Sequence, residues 1–262
     1  MSTGPSSPAA ISAPAAPATP VVPAVQFVWL KGAVIAGFLA LCGWLAVQVV
    51  QGGADLGLLW WSPVVAVAGY VVADFVSGFV HFLADNFAEA ETPLIGKTFV
   101  KPFRDHHVDP LGITRHDFVE TNINNVIVSL PFIVPAALLL PVGTSTLGWF
   151  TGTFALCFIL AIFLTNQFHK WAHEPQPPAI ALRLQRAGLI LSKEHHDVHH
   201  TSPFDTHYCI TVGLWNKFLE RIHLWEKLER GIRRWVPGTD PRTRVEQEAA
   251  ARRTERTAQG TH

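Results

Sequence analysis

No Asp, Glu, Lys or Arg occurs between Glu120 and Lys170, a run of 49 residues. A bilayer takes about 20 apolar residues per crossing helix, so a run of this length holds more than one span. Pro141, Gly143, Thr144, Ser145 and Gly148 mark a turn inside it and divide it into spans near 124–141 and 147–168. Upstream, Gly32 to Val50 and Leu56 to Ala73 are also free of charge, over 19 and 18 residues, and give spans near 32–50 and 56–82. The five-residue link Gln51 to Asp55 between them permits only an antiparallel connection. The expected fold is therefore an all-α integral membrane protein with about four transmembrane helices in two hairpins. A soluble helical protein would have to bury all four runs, which their length argues against.

Composition agrees with this reading. Charged residues make up 15% of the chain, against roughly 25% in soluble domains. Twenty Lys and Arg balance twenty Asp and Glu, which removes the basic profile of a dedicated nucleic-acid binder. One basic residue, Lys31, precedes the first span; four lie between Ala84 and Glu120, and fifteen follow Gln167. The positive-inside rule then puts both termini and the 84–120 segment in the cytoplasm, in a bacterial inner membrane. Residues 1–24 are uncharged with six prolines and read as a disordered leader, without the basic start of a signal peptide. Residues 25–237 form the membrane domain, and 238–262 a charged flexible tail. Ile180 to Leu191 and Trp215 to Val236 set apolar and Trp residues against Arg and Lys at helical spacing, as interfacial or packed amphipathic helices do. Cys42, Cys157 and Cys209 are too few for a disulfide scaffold and read as reduced packing residues.

Thirteen histidines cluster at short spacings. Positions i and i+4 share a helix face, so two histidines so spaced can hold one metal ion. His169 and His173 have this spacing in HKWAH, and HHDVHH offers two such pairs, His195 with His199 and His196 with His200. Further candidates are His106 and His107 in RDHH, His116 in TRHD, and His81 with Asp85 at the end of the second span. An ionisable residue inside a span is costly and marks function, which adds Asp74, as a ligand or as a partner that fixes an imidazole tautomer. One tetrahedral zinc needs three or four ligands, so two metal ions use so many candidates better. Imidazole suits iron, copper, zinc and nickel, and no Cys-x-x-Cys-His signals attached haem. Carboxylates are scarce among these histidines, and neutral imidazoles cost less than carboxylates near the lipid boundary. The pattern points to a membrane-embedded, histidine-rich di-iron site on the cytoplasmic side.

These boxes resemble those of the histidine-box membrane desaturases and hydroxylases. Residues 70–235 more closely resemble the plasmanylethanolamine desaturase family, whose lipid desaturase domain is related to plant plastid palmitate desaturases. The resemblance rests on DFVSGFVHFLADNF, PLIGKTFVKPFRDHHVDPLGITRHDFVETNINN, TNQFHKWAH and KEHHDVHHTSPFDTHYCITVGLWNKFLE. It implies that a double bond is made beside the ether oxygen in the 1-O-alkyl chain of an ether phospholipid, giving a plasmalogen. It implies two ferrous ions, dioxygen as co-substrate, and two electrons from a cytochrome b5-like protein or a ferredoxin. The metal residues it implies are His81, Asp85, His106, His107, His116, His169, His173, His195, His196, His199 and His200. His207 and His223 match no box and read as structural or interface residues. Lys101, Arg104 and Arg115 are candidates to meet the lipid phosphate. A fatty-acyl desaturase or lipid hydroxylase of the same metal class is the alternative within enzymes. A metal transporter is disfavoured by the uncharged third and fourth spans.

Overall fold

A computed structural model describes residues 27–87 and 100–235, together with Pro93 and Gly96. The leader, the tail past Val236 and the side chain of Arg104 lie outside the described residues. Four helices are long and apolar enough to cross a membrane. They are α1 (Val28–Asp55), α2 (Ser62–Asn86, entered by a 3-10 turn at Leu59–Trp61), α4 (Phe118–Leu139) and α5 (Thr146–His173). Short helices carry the rest: α3 (Lys101–Val108), α6 (Ala179–Arg186), α7 (Lys193–His199), α8 (Asn216–Arg221) and α9 (Leu224–Arg233).

Local chemistry sets the ends of these elements. Pro63 sits in the first turn of α2, where its missing N–H costs nothing. Asp117 and Glu120 form a reciprocal capping box that starts α4, Asp117 accepting from the Glu120 N–H at 2.8 Å. Ser145 caps α5 by accepting from the Gly148 N–H. At 28 residues α5 is about 42 Å long, more than the ~30 Å hydrocarbon core, and its final turns carry the polar His169, Lys170 and His173. The spans are thus longer than the uncharged runs alone predict, because polar ends continue the same helices.

Two elements depart from the sequence expectation. The Ile180–Leu191 stretch does not stay helical: Gly188 adopts φ 66° and closes α6, with the Gly188 N–H on Gln185 O and the Leu189 N–H on Leu184 O. That double bond is the Schellman arrangement, which the apolar periodicity hides. The Trp215–Val236 stretch is likewise not one helix, since His223 turns left-handed at φ 53° between α8 and α9.

Helix α5 is the hub: it packs on α2, α4 and α1, and α1 also packs along α4. Phe38, Leu45, Val126, Ile133, Trp149, Ile159 and Phe163 fill the interior. Single polar bonds tie the spans: Trp149 Nε1 donates to Val49 O at 2.8 Å, Gln48 Nε2 to Ala137 O at 2.8 Å, and Asn125 Nδ2 to Ile162 O at 2.7 Å. In apolar surroundings an unpaired donor is costly, so these bonds also fix which helices meet. Gly69 lets α2 approach α5 closely, since a Cβ there would stand 3.0 Å from both Phe154 O and Phe158 N. Outward, Trp44, Val47, Val64, Val67, Phe132, Leu138 and Leu147 are exposed, an apolar mantle of the kind lipid covers. Cys42, Cys157 and Cys209 are all free thiols.

Candidate metal centre

The ends of four helices converge on a knot of imidazoles. His81 and Asp85 come from α2, His106 and His107 from α3, His169 and His173 from α5, and His196, His199 and His200 from α7 and its C-terminal cap. Two groups are arranged to hold a metal ion: His106, His169, His173, His196 and His200 in one, and His81, His106, His107 and His199 in the other. Within each group the ligand atoms lie within 4.8 Å of one another, and His106 belongs to both. All of these residues are buried apart from the half-buried His200.

The first group cannot satisfy itself with hydrogen bonds. His169 and His196 approach through their Nε2 atoms at 2.8 Å, His173 and His196 at 2.9 Å, and His169 and His173 at 3.1 Å. A neutral ring nitrogen either donates or accepts, so around a triangle of three at least one edge pairs two like roles. His200 adds a fourth Nε2, 3.1 Å from that of His196. A cation among these atoms would take every lone pair and remove the conflict.

In the second group the tautomers are set from behind. The His81 Nδ1–H donates to Tyr208 O at 3.1 Å, and the His199 Nδ1–H donates to Thr206 O at 2.7 Å. Their Nε2 atoms therefore carry lone pairs, yet face Asp85 Oδ2 at 3.2 and 3.4 Å and have no hydrogen-bond partner. His107 Nε2 approaches the same oxygen at 3.1 Å. Burial pushes His199 down to about 3, and burial with the crowd of neighbouring imidazoles holds His106, His196 and His200 well below the ordinary histidine range. These rings are neutral at physiological pH. Lone pairs aimed at a carboxylate across this gap again fit a cation between them, and such backing of an imidazole by a carbonyl is usual behind metal ligands.

The segment that supplies those carbonyls is clamped. Asp74, fully buried on α2, accepts the backbone N–H groups of Val212 and Gly213 at 2.9 Å each and of Trp215 at 3.4 Å. Ser77 Oγ accepts from Ile210 N, and Asn216 brackets both backbone groups of Cys209. Asp74 thus holds a loop and touches no imidazole through these bonds, unlike the tautomer-fixing role open to it in the sequence. It acts two steps away, through the loop that backs His81 and His199.

Of the sequence candidates, Asp85 belongs to neither group but sits against three rings of the second, and two histidines stand outside both. His195 turns from the knot: its Nε2 accepts from Asn216 Nδ2 at 3.0 Å and its ring lies 5.0 Å from that of His207. The close pass of Gly213 holds it there, where a Cβ would come within 2.6 Å of the His195 Nε2. His116 is exposed beyond α3, and its carbonyl accepts from Lys170 Nζ at 2.5 Å. His207 meets Thr206 Oγ1, and His223 pairs with Glu226 at the surface. Beside the knot, His106 and His169 form the inner wall of a cavity of about 420 Å³, lined farther out by Lys101, Arg115, His116 and Glu120. Sequence reasoning missed Tyr208, Thr206 and Asn216, because two of the three act on the site through backbone carbonyls that no side-chain motif reveals.

Residues 70–244 match the lipid desaturase domain, two thirds of the chain and every residue of the knot. The chain belongs to the lipid desaturase domain family. Within that family it is similar to a plasmanylethanolamine desaturase of Myxococcus xanthus, 50% identical over 175 residues, which are 66% of this chain and 61% of that protein. It is 43% identical over 180 residues to plasmanylethanolamine desaturase 1 of Mus musculus, covering 67% of this chain and 66% of the mouse protein. It is 35% identical over 198 residues to the chloroplastic fatty acid desaturase 4 of Arabidopsis thaliana, covering 75% of this chain and 59% of the plant protein. The aligned part of this chain thus spans 59–66% of the length of these relatives. No solved structure matches it.

Proposed function

We infer that this chain is a membrane desaturase that introduces the vinyl ether double bond into the 1-O-alkyl chain of plasmanylethanolamine. The observation that carries the reading is the pair of buried imidazole groups that share His106, in the first of which the Nε2 atoms of His169, His173 and His196 cannot all be paired by hydrogen bonds. The names of the Myxococcus and mouse relatives supply the substrate. In the balanced reaction, two hydrogens leave neighbouring chain carbons, two electrons and two protons come from outside, and dioxygen leaves as two waters.

His169, His173, His196 and His200 would hold one iron, and His81, Asp85, His107 and His199 a second, with the one lone pair of His106 completing either set. Iron bound there supplies the dioxygen chemistry that no side chain can. The protein's part is to keep the rings neutral and aimed, through the carbonyls of Thr206 and Tyr208, and to hold the chain beside them while burial excludes water. In this reading α1 and α2, and α4 and α5, cross the membrane as two consecutive pairs. The excess of basic residues in the 84–120 and post-167 segments supports a site on the cytoplasmic side, and the membrane would be a bacterial inner membrane. Helices α6, α8 and α9 would lie along that interface, and a cytochrome b5-like protein or a ferredoxin would deliver the electrons there. The domain would run over residues 25–237.

The test is expression in a host that contains alkyl ether phospholipids and lacks plasmalogens, followed by mass spectrometry of acid-labile vinyl ethers. New vinyl ethers that disappear in His173→Ala establish the reaction. Fatty-acyl desaturation is the second reading, favoured by the Arabidopsis relative. New acyl double bonds without vinyl ethers would select it.

A further inference from the structure

The cavity against His106 and His169 has a charged outer wall. Lys101 on α3 pairs with Asp105, and Arg115, closing the 3-10 turn Gly112–Arg115, holds Asp109 at 2.5 Å. Glu120 lines the same wall, and among the described residues its carboxylate meets only the Asp117 N–H, at a long 3.4 Å. Phe103 and Ile113 add apolar surface to the same lining. At about 420 Å³ the cavity is of the size that takes a small polar moiety together with a few carbons.

This arrangement bears on which carbon is presented to the knot. A desaturase acting in mid-chain needs an apolar channel at its metal, with the head group far off. In an ether phospholipid the carbon beside the ether oxygen is separated from phosphorus only by the glycerol carbons and their two oxygens. Charged groups on a cavity whose floor is His106 and His169 match that short separation. Both signs are present on the rim, as a zwitterionic head requires: guanidinium and ammonium for the phosphate, carboxylate for the amine.

Resting on the desaturase reading above, we propose that this cavity is the head-group site for a phosphoethanolamine lipid, with Arg115 and Lys101 binding the phosphate and Glu120 the ammonium. The site then fixes the position of the new double bond by holding the head group a set distance from the imidazoles. The lipid phosphate would take over donors that Asp109 and Asp105 now occupy, so recognition is an exchange of partners.

The test uses the iron-loaded protein in nanodiscs, with 1-O-alkyl lipids bearing phosphoethanolamine, phosphoglycerol or no head group, and two variants. Glu120→Gln keeps the α4 capping box, in which Gln serves as well as Glu, while removing the charge. Arg115→Gln removes the phosphate clamp. Wild type should favour the phosphoethanolamine lipid over the headless one. Arg115→Gln should raise KM for it about tenfold with kcat nearly kept, the effect of one charge-assisted bond. Glu120→Gln should bring ethanolamine and glycerol head groups to within about threefold of each other, from about tenfold apart. Native mass spectrometry of bound lipid gives a second readout independent of turnover, and soluble glycerophosphoethanolamine as competitor separates head-group binding from tail binding. Equal use of the headless lipid, or variants that leave both ratios and lipid binding unchanged, would overturn the proposal. Head-selective binding that depends on Arg115 but yields no vinyl ether would keep the site and overturn the reaction instead.

Discussion

Replacing Asp74 with Asn should weaken one of the two proposed metal positions and spare the other. Asp74 makes no contact with a candidate ligand, but accepts three backbone N–H groups from the loop that backs His81 and His199. Bonds to a carboxylate contribute roughly 1.5–3 kcal/mol each, and neutral ones roughly 0.5–1.5. With the Asn oxygen kept toward Val212 and Gly213, those two bonds together lose about 2 kcal/mol. The amide NH2 would then confront the Trp215 N–H, donor against donor. A loop weakened by about 2 kcal/mol opens roughly 30 times as often. Its carbonyls then stop fixing the two rings, and loss of such backing typically costs about 10–100-fold in metal affinity. The group built on His169, His173, His196 and His200 has no ligand backed by this loop through the bonds at His81 and His199. The assay is iron per chain in purified protein, by inductively coupled plasma mass spectrometry, during dialysis against graded chelator. Wild type should hold both irons until high chelator, whereas Asp74→Asn should lose one much earlier and hold the other as wild type does. Asp74→Ala, which leaves three buried donors unpaired, should do so more strongly. Parallel loss of both irons, or a release curve identical to wild type in both variants, would refute the reasoning.

Three further outcomes follow from the geometry. His173→Ala, His196→Ala and His200→Ala should each abolish vinyl ether formation while the protein stays in the membrane, and full activity in all three would refute the ligand assignment. His116→Ala and His195→Ala should retain the full iron content, because both rings lie outside the two groups; loss of an iron in either, measured by the same elemental analysis, would return that residue to the centre. Gly69→Val should destabilise the bundle by about 1–3 kcal/mol through overpacking against Phe154 and Phe158, and an unchanged melting temperature in detergent would show that α2 can move away from α5.

The spans and the site were unequally legible in the sequence. Four uncharged runs located four helices, because lipid imposes one requirement on every residue of a span. The helix ends were less legible: His81, Asp85, His169 and His173 lie on the same continuous helices as the apolar runs, and hydropathy alone stops short of them. Spacing brought out the pairs His169 with His173 and His196 with His200, which do share a group. It also paired His195 with His199, and these part company, His199 facing Asp85 and His195 facing Asn216. An i, i+4 spacing fixes where two Cα atoms sit on a helix, not where each ring is drawn by its neighbours. Here the neighbours are Thr206 O and Asn216, at either end of the segment that Asp74 clamps.

That loop makes the two imidazole groups unlike. In one, the bonds on Nδ1 of His81 and His199 dictate which nitrogen bears the lone pair, and Asp85 adds a negative charge. In the other, four Nε2 atoms crowd together with no carboxylate among them, so tautomers there are free to follow whatever cation they meet. A harder, more charged position thus sits beside a neutral one, with His106 common to both. The charged cavity opens on His106 and on His169 of the neutral group. A substrate held in that cavity therefore meets the imidazole shared by both groups first, while Asp85 and the carbonyl-backed rings stand behind it. If the two positions differ in their part of the reaction, the neutral group is the one that faces the lipid.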